Sequence, residues 1–190
     1  MRRATPAHRR RDAHTLALEI TGARDGVQLA QIGCADAGRM VALASAIRPS
    51  GQAIVIVPNE TSAARARAAA ADAGVPAEVK IAQLTHLPLT SGAFDLVVVD
   101  NTDGLFASVR IERRRSFAGE ISRILRPGGL AVAICVEARG GIIGAVLERM
   151  QSPVTDSDLI HALVLEGFGP IQKRSAPDQL LFVVALKPLT

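Results

Sequence analysis

Tryptophan and tyrosine are absent from this chain of 190 residues, and its aromatic content is only 3%, all of it phenylalanine. Stacking recognition of single-stranded nucleic acid needs aromatic platforms, so that class is poorly served. Without tyrosine, the Tyr/Lys chemistry of short-chain reductases is also excluded. Cysteine is scarce too: Cys34 and Cys135 are too few for a disulfide framework and share no metal-ligand spacing. Both fall near predicted strand ends and are expected to be small buried hydrophobes. No apolar run approaches the ~18 residues of a membrane span. No secretory signal is recognised, and a cytoplasmic setting is expected.

Charge is present but unevenly placed. The net +4 resides in the opening stretch MRRATPAHRRRDAH, and the rest of the chain is balanced. Residues 1–20 are therefore read as a basic, flexible arm. Residues 21–190 are read as one domain, long enough to bury about 70% of its unfolded surface. The arm could touch nucleic acid or an acidic membrane surface; apart from it, no nucleic-acid partner is expected.

Apolar segments alternate with helical patterns from residue 27 to residue 166. VQLAQI (27–32), AIVIV (53–57), AEVKIA (77–82), FDLVVVD (94–100) and LAVAICV (130–136) read as strands. The second and fourth are continuous apolar runs of the kind buried on both faces of a parallel sheet. Met40, Leu43, Ala44 and Ile47 follow i, i+3, i+4, i+7, while Phe117, Ile121, Ile124 and Leu125 mark a second helical face. RPSG (48–51) and RPGG (126–129) end these helices, since proline cannot continue one. An alanine-rich helix fills about 62–73 and IIGAVLERM (142–150) a short one. Thr155 and Asp158 have capping-box spacing before LIHALVLEGF. GPIQKRSAPDQLLFVVALKP then reads as a terminal antiparallel hairpin. The predicted fold is α/β, a Rossmann-like doubly wound sheet of seven strands binding ligands at the carboxyl ends of its strands.

The turn after strand one, QIGCADAGRM (31–40), bears on which ligand. Gly33 and Gly38 have phosphate-loop spacing. Such a loop next needs lysine and then Ser or Thr, and Arg39 and Met40 stand there instead. A nicotinamide-type loop would need glycine at Ala35 and an acid at the end of strand two, where Val57 falls. Taken with HLPLTSGAFDLVVVD (86–100), EISRILRPGGLAVAI (120–134) and LEGFGPIQKRSAPDQLLFVVALKP (165–188), QIGCADAGR resembles the class I S-adenosylmethionine-dependent methyltransferases. The nearest type is the small-molecule, ubiquinone-biosynthesis-like one. The resemblance runs from Val27 to about Pro188 and implies a seventh strand inserted antiparallel.

It also implies S-adenosylmethionine as cofactor. Gln31, Gly33, Cys34, Ala35 and Gly38 would line its methionine moiety, Val57 and Pro58 the ribose and adenine region, and Gln83 and Leu84 the adenine edge. The motif is divergent. Gln31 replaces the acid that usually opens the loop, Ala35 and Ala37 replace glycines, and Val57 replaces the ribose-binding acid. Asn59 and Glu60 are nearby substitutes for that acid. Losing one charge-assisted hydrogen bond to a ligand costs ~1.5–3 kcal/mol. The amide oxygen of Gln83 can still accept from the adenine amino group.

Asp100 and Asn101, with Asp103, follow strand four and are the candidate catalytic residues, placed to orient or deprotonate an acceptor; the alternative is a solvated capping turn. His86 is a candidate base or a surface histidine. No third ligand accompanies Asp100 and Asp103, so no metal is expected. RIERRR (110–115) is either an anion-binding stretch or a solvated helix face. Two functions remain open: methyl transfer to a small-molecule acceptor, or a non-catalytic scaffold with a degenerate cofactor site and a protein partner.

Overall fold

The computed structural model describes residues 6–137, 156–176 and 179–189. Its strands are β1 (Gln28–Ile32), β2 (Gln52–Val57), β3 (Glu78–Ile81), β4 (Phe94–Asp100), β5 (Leu125–Val136), β6 (Ile171–Ala176) and β7 (Leu180–Leu186). They form one sheet in the order β3-β2-β1-β4-β5-β7-β6. The first five run parallel, and β7 enters antiparallel between β5 and β6. The expected seven-stranded α/β sheet and its terminal hairpin are both present; residues 177 and 178 of the hairpin turn lie outside the described residues.

The helices are α1 (Pro6–Thr21), α2 (Ala37–Ala46), α3 (Glu60–Asp72), α4 (Arg114–Ile124) and α5 (Asp156–Leu165). Alternate residues of β4 explain its unbroken apolar sequence. Leu96 and Val98 pack with Leu43 and Ile47 of α2 on one face. Val97 and Val99 pack with Phe117 and Ile121 of α4 and Leu159 of α5 on the other. A strand covered on both sides presents no face to water, and each such side chain contributes ~1.5–3 kcal/mol by burial. Edge strand β3 is more exposed and carries a Glu78–Lys80 ion pair at 3.1 Å.

Two boundaries differ from the sequence reading. The expected arm overlaps α1, whose Ala17 is fully buried with Leu43 and Ala44 of α2, so the packed domain begins before residue 20. β5 starts at Leu125 rather than after RPGG. Its pairing with β4 shifts register between Phe94 and Leu96, which accommodates the extra residues, and Arg126 pairs with Asp95 at 2.5 Å. Asp158, expected in a capping box, pairs with Arg114 at 3.0 Å in a helix that begins at Asp156. Thr155 and the helix expected over 142–150 lie outside the described residues.

Candidate functional site

A buried ion pair joins the carboxyl ends of β1 and β4. Arg39, in the first turn of α2, donates from Nη2 to Asp100 Oδ1 at 2.6 Å, and both side chains are buried. The same oxygen accepts the Thr102 hydroxyl at 2.7 Å, and Oδ2 accepts the Asp36 amide at 3.0 Å. Asp36 caps α2 by accepting the Arg39 amide at 3.0 Å. Burial alone would raise the Asp36 carboxyl. The Arg39 amide and guanidinium and the neighbouring His14 outweigh it, and its pKa lies below the ordinary value.

Gly33 is the position in this turn where glycine is required. Its φ is +85°, and a Cβ there would stand 2.7 Å from the Asp100 carbonyl oxygen and 2.8 Å from Leu105. Ala35 and Ala37 have no positive φ, so replacing glycine there leaves no strain. Arg65 of α3 donates to the Cys34 carbonyl at 2.5 Å. The Cys34 sulfur lies 3.8 Å from that of Met40, and burial pushes its thiol up to about 11 although Arg65 opposes this. Cys34 and Cys135 are both buried, as the sequence suggested. Gln31 is buried and donates to the Gly33 carbonyl at 3.1 Å. Its Oε1 and Nε of Arg39 have no hydrogen-bond partner. Gly38 is exposed, and a Cβ there would meet His14 of α1 at 2.9 Å.

A cavity of about 600 Å³ opens at the carboxyl ends of β2 and β3. It brings together three of the expected cofactor residues, Pro58, Gln83 and Leu84. Its second wall, Ser108, Val109, Arg110 and Arg113, comes from the segment between β4 and α4 and was not anticipated as part of the site. Val57 lies outside the cavity lining: it is fully buried among Met40, Ala63 and Ala66. The expected substitutes for the ribose acid are engaged elsewhere. Asn59 caps α3 by accepting the Ser62 amide at 2.9 Å, and Glu60 pairs with Arg67 at 2.7 Å. Among the described residues no carboxylate lines the cavity.

The loop carrying Gln83 and Leu84 is stapled from α4. Arg123 donates to Glu120 at 2.7 and 2.9 Å and to the carbonyls of Leu87 and Leu89 at 2.9 and 2.8 Å. Glu120 accepts the Leu87 amide at 2.6 Å. Its carboxyl is held below the usual range, chiefly by the hydrogen bond from Arg123 and against a smaller effect of burial.

The polar cluster after β4 faces inward. Asp100 is fully buried with both oxygens accepting hydrogen bonds. Asn101 accepts the Phe106 amide at 2.7 Å and donates to the Cys135 sulfur at 3.6 Å. Asp103 and His86 are exposed. Asp36, Arg39 and Cys135 are distant in sequence from this cluster, so no local pattern announced those partners. The Asn101–Phe106 bond, by contrast, is a local turn of the kind the sequence offered.

A seven-stranded sheet of this order, with a glycine turn after β1 and a cavity at the strand ends, defines the class I methyltransferase architecture. The chain belongs to the methyltransferase-domain family, matched over residues 30–129, and the methyl donor of this class is S-adenosylmethionine. It is 33% identical over 135 residues to 24-methylenesterol C-methyltransferase 2 of Oryza sativa subsp. japonica, covering 70% of this chain and 34% of that protein. The chain thus spans about a third of that curated relative. A SAM dependent methyltransferase from Aquifex aeolicus superposes with a TM-score of 0.74 at 16% identity, covering 96% of this chain and 93% of that one. Geranyl diphosphate C-methyltransferase from Streptomyces coelicolor A3(2) gives 0.70 at 12%, covering 92% and 75%. At these identities the two structures show the fold alone.

The residues present fit the nucleoside part of the donor. Pro58, Leu84 and Val109 offer apolar sides for a planar ring, and exposed Gln83 offers an amide acceptor and donor. Among the described residues no helix is long and apolar enough to cross a membrane.

Proposed function

We propose that this chain transfers a methyl group from S-adenosylmethionine to a small-molecule acceptor. The observation that carries this reading is the convergence of Pro58, Gln83 and Leu84 on one cavity at the carboxyl end of the sheet. The donor supplies an activated methyl group, so the chain's own work is to bind, exclude water and align the acceptor nucleophile. In this reading Gln83 accepts from the adenine amino group while Leu84 and Val109 cover the ring. Gly33 lets the turn approach closely. Asp100, ion-paired and buried, acts by holding the turn in place. The small acceptor is supported by the sterol C-methyltransferase relative.

One observation favours a second reading, a non-catalytic scaffold: among the described residues the cavity has no carboxylate for the ribose. Thermal unfolding with S-adenosylhomocysteine separates the two. Methyl transfer predicts a saturable rise in Tm with added ligand; an unchanged Tm at millimolar ligand would leave the scaffold.

A further inference from the structure

We propose that Arg110 and Arg113 form an anion-binding wall, and that the methyl acceptor is an apolar molecule bearing a carboxylate or phosphate group held by this wall. The proposal rests on the methyltransferase reading above and adds the substrate class.

The structure divides the arginines of RIERRR into two pairs. Arg114 stacks 5.3 Å over the Phe106 ring and pairs with Asp158 at 3.0 Å, and Arg115 pairs with Glu166 at 2.7 Å. Those two bind α5 and the residue after it. Arg110 and Arg113 instead line the cavity, and among the described residues neither side chain makes an ion pair or hydrogen bond. A 3-10 turn over Ile111–Arg113, closed by the Arg113 amide on the Arg110 carbonyl at 2.8 Å, puts them on one side. Residues three apart eclipse in such a turn, which leaves Glu112 off the cavity wall.

Charge then decides what the wall is for. Two unpaired guanidinium groups on one wall repel each other until an anion joins them. Among the described residues no carboxylate lines the cavity to neutralise them. The guanidinium fork matches carboxylate and phosphate oxygens in pairs. Half-exposed Ile81 on the opposite wall offers an apolar surface for the rest of the acceptor. The volume lies mid-range for a cleft that takes a drug-sized ligand.

Benzoate and phenyl phosphate, each an apolar body with one acid group, are the probes. They are titrated by calorimetry into the full chain saturated with S-adenosylhomocysteine, at constant ionic strength, with neutral benzamide as the control. At least one anion should bind saturably and benzamide should not; the tighter anion identifies the acid group. Arg110→Gln with Arg113→Gln should lower anion affinity at least tenfold more than it lowers S-adenosylhomocysteine affinity. Arg115→Gln, in the same run but paired, should leave both unchanged. Equal anion affinity in the double variant, or no anion binding to the saturated chain, would overturn the proposal. Arginine-dependent anion binding by a chain that takes no S-adenosylhomocysteine would instead overturn the donor reading and keep the anion site.

Discussion

Asp100 and Arg39 lie 61 residues apart and meet because β1 and β4 are neighbours in the sheet. Deleting one partner of such a pair leaves a buried charge uncompensated, at a cost of ~3–5 kcal/mol, whereas replacing both with apolar residues can be nearly neutral. Asp100→Ala should therefore lose about that much in urea unfolding, and Asp100→Leu with Arg39→Met should recover most of it. Gly33→Ala combines a positive φ with a clash against backbone and should destabilise by ~1–3 kcal/mol or more in the same measurement. From sequence alone, Arg39 was legible only as the wrong residue for a phosphate loop, and Asp100 was read as a candidate catalytic group after a strand rather than as its ion-pair partner. Their pairing depends on tertiary placement, which periodicity does not encode. Gln83 was legible because a strand end positions it.

At the scale of elements, α4 does two jobs. Its apolar face, Phe117, Ile121 and Ile124, covers the sheet, and its Glu120–Arg123 pair fixes the loop that walls the cavity. Lys187, just beyond β7, donates to the carbonyls of Ser122 and Leu125 at 2.7 Å each, which satisfies the helix C-terminus. Arg123 is about a third exposed, so solvent screening limits the worth of its bonds to ~1–2 kcal/mol. Because the Glu120 carboxyl titrates below its ordinary 4.5 in the folded chain, its contribution is full above that pH. It is lost as pH falls through the folded value. Arg123→Ala should thus be less stable than the natural chain at pH 7, with the gap narrowing towards pH 3 in urea titrations at the two values. The apolar periodicity marked α4 and the bounds of β4 well. It missed the early start of β5 because RPGG carries a helix-stop signal, and it missed the packed part of α1 because that helix begins among arginines.

For the whole molecule, the strands and the terminal hairpin were legible because each announces itself by its own apolar run and turn, while the antiparallel insertion of β7 came from the family resemblance. The binding cleft was only half legible. Its β3 wall follows a strand end, but its other wall sits on short 3-10 turns that have no periodic signature. Val57, expected at the ribose, is buried among α2 and α3 residues instead and does not line the cavity. In the proposed reading, donor recognition falls to Gln83 and the apolar walls. Calorimetric titration of S-adenosylmethionine into the full chain, alongside Gln83→Ala, tests this most directly. One-site saturable binding is expected, weakened roughly tenfold by the substitution, or about 1.4 kcal/mol. No binding at millimolar donor, or equal binding by Gln83→Ala, would contradict it.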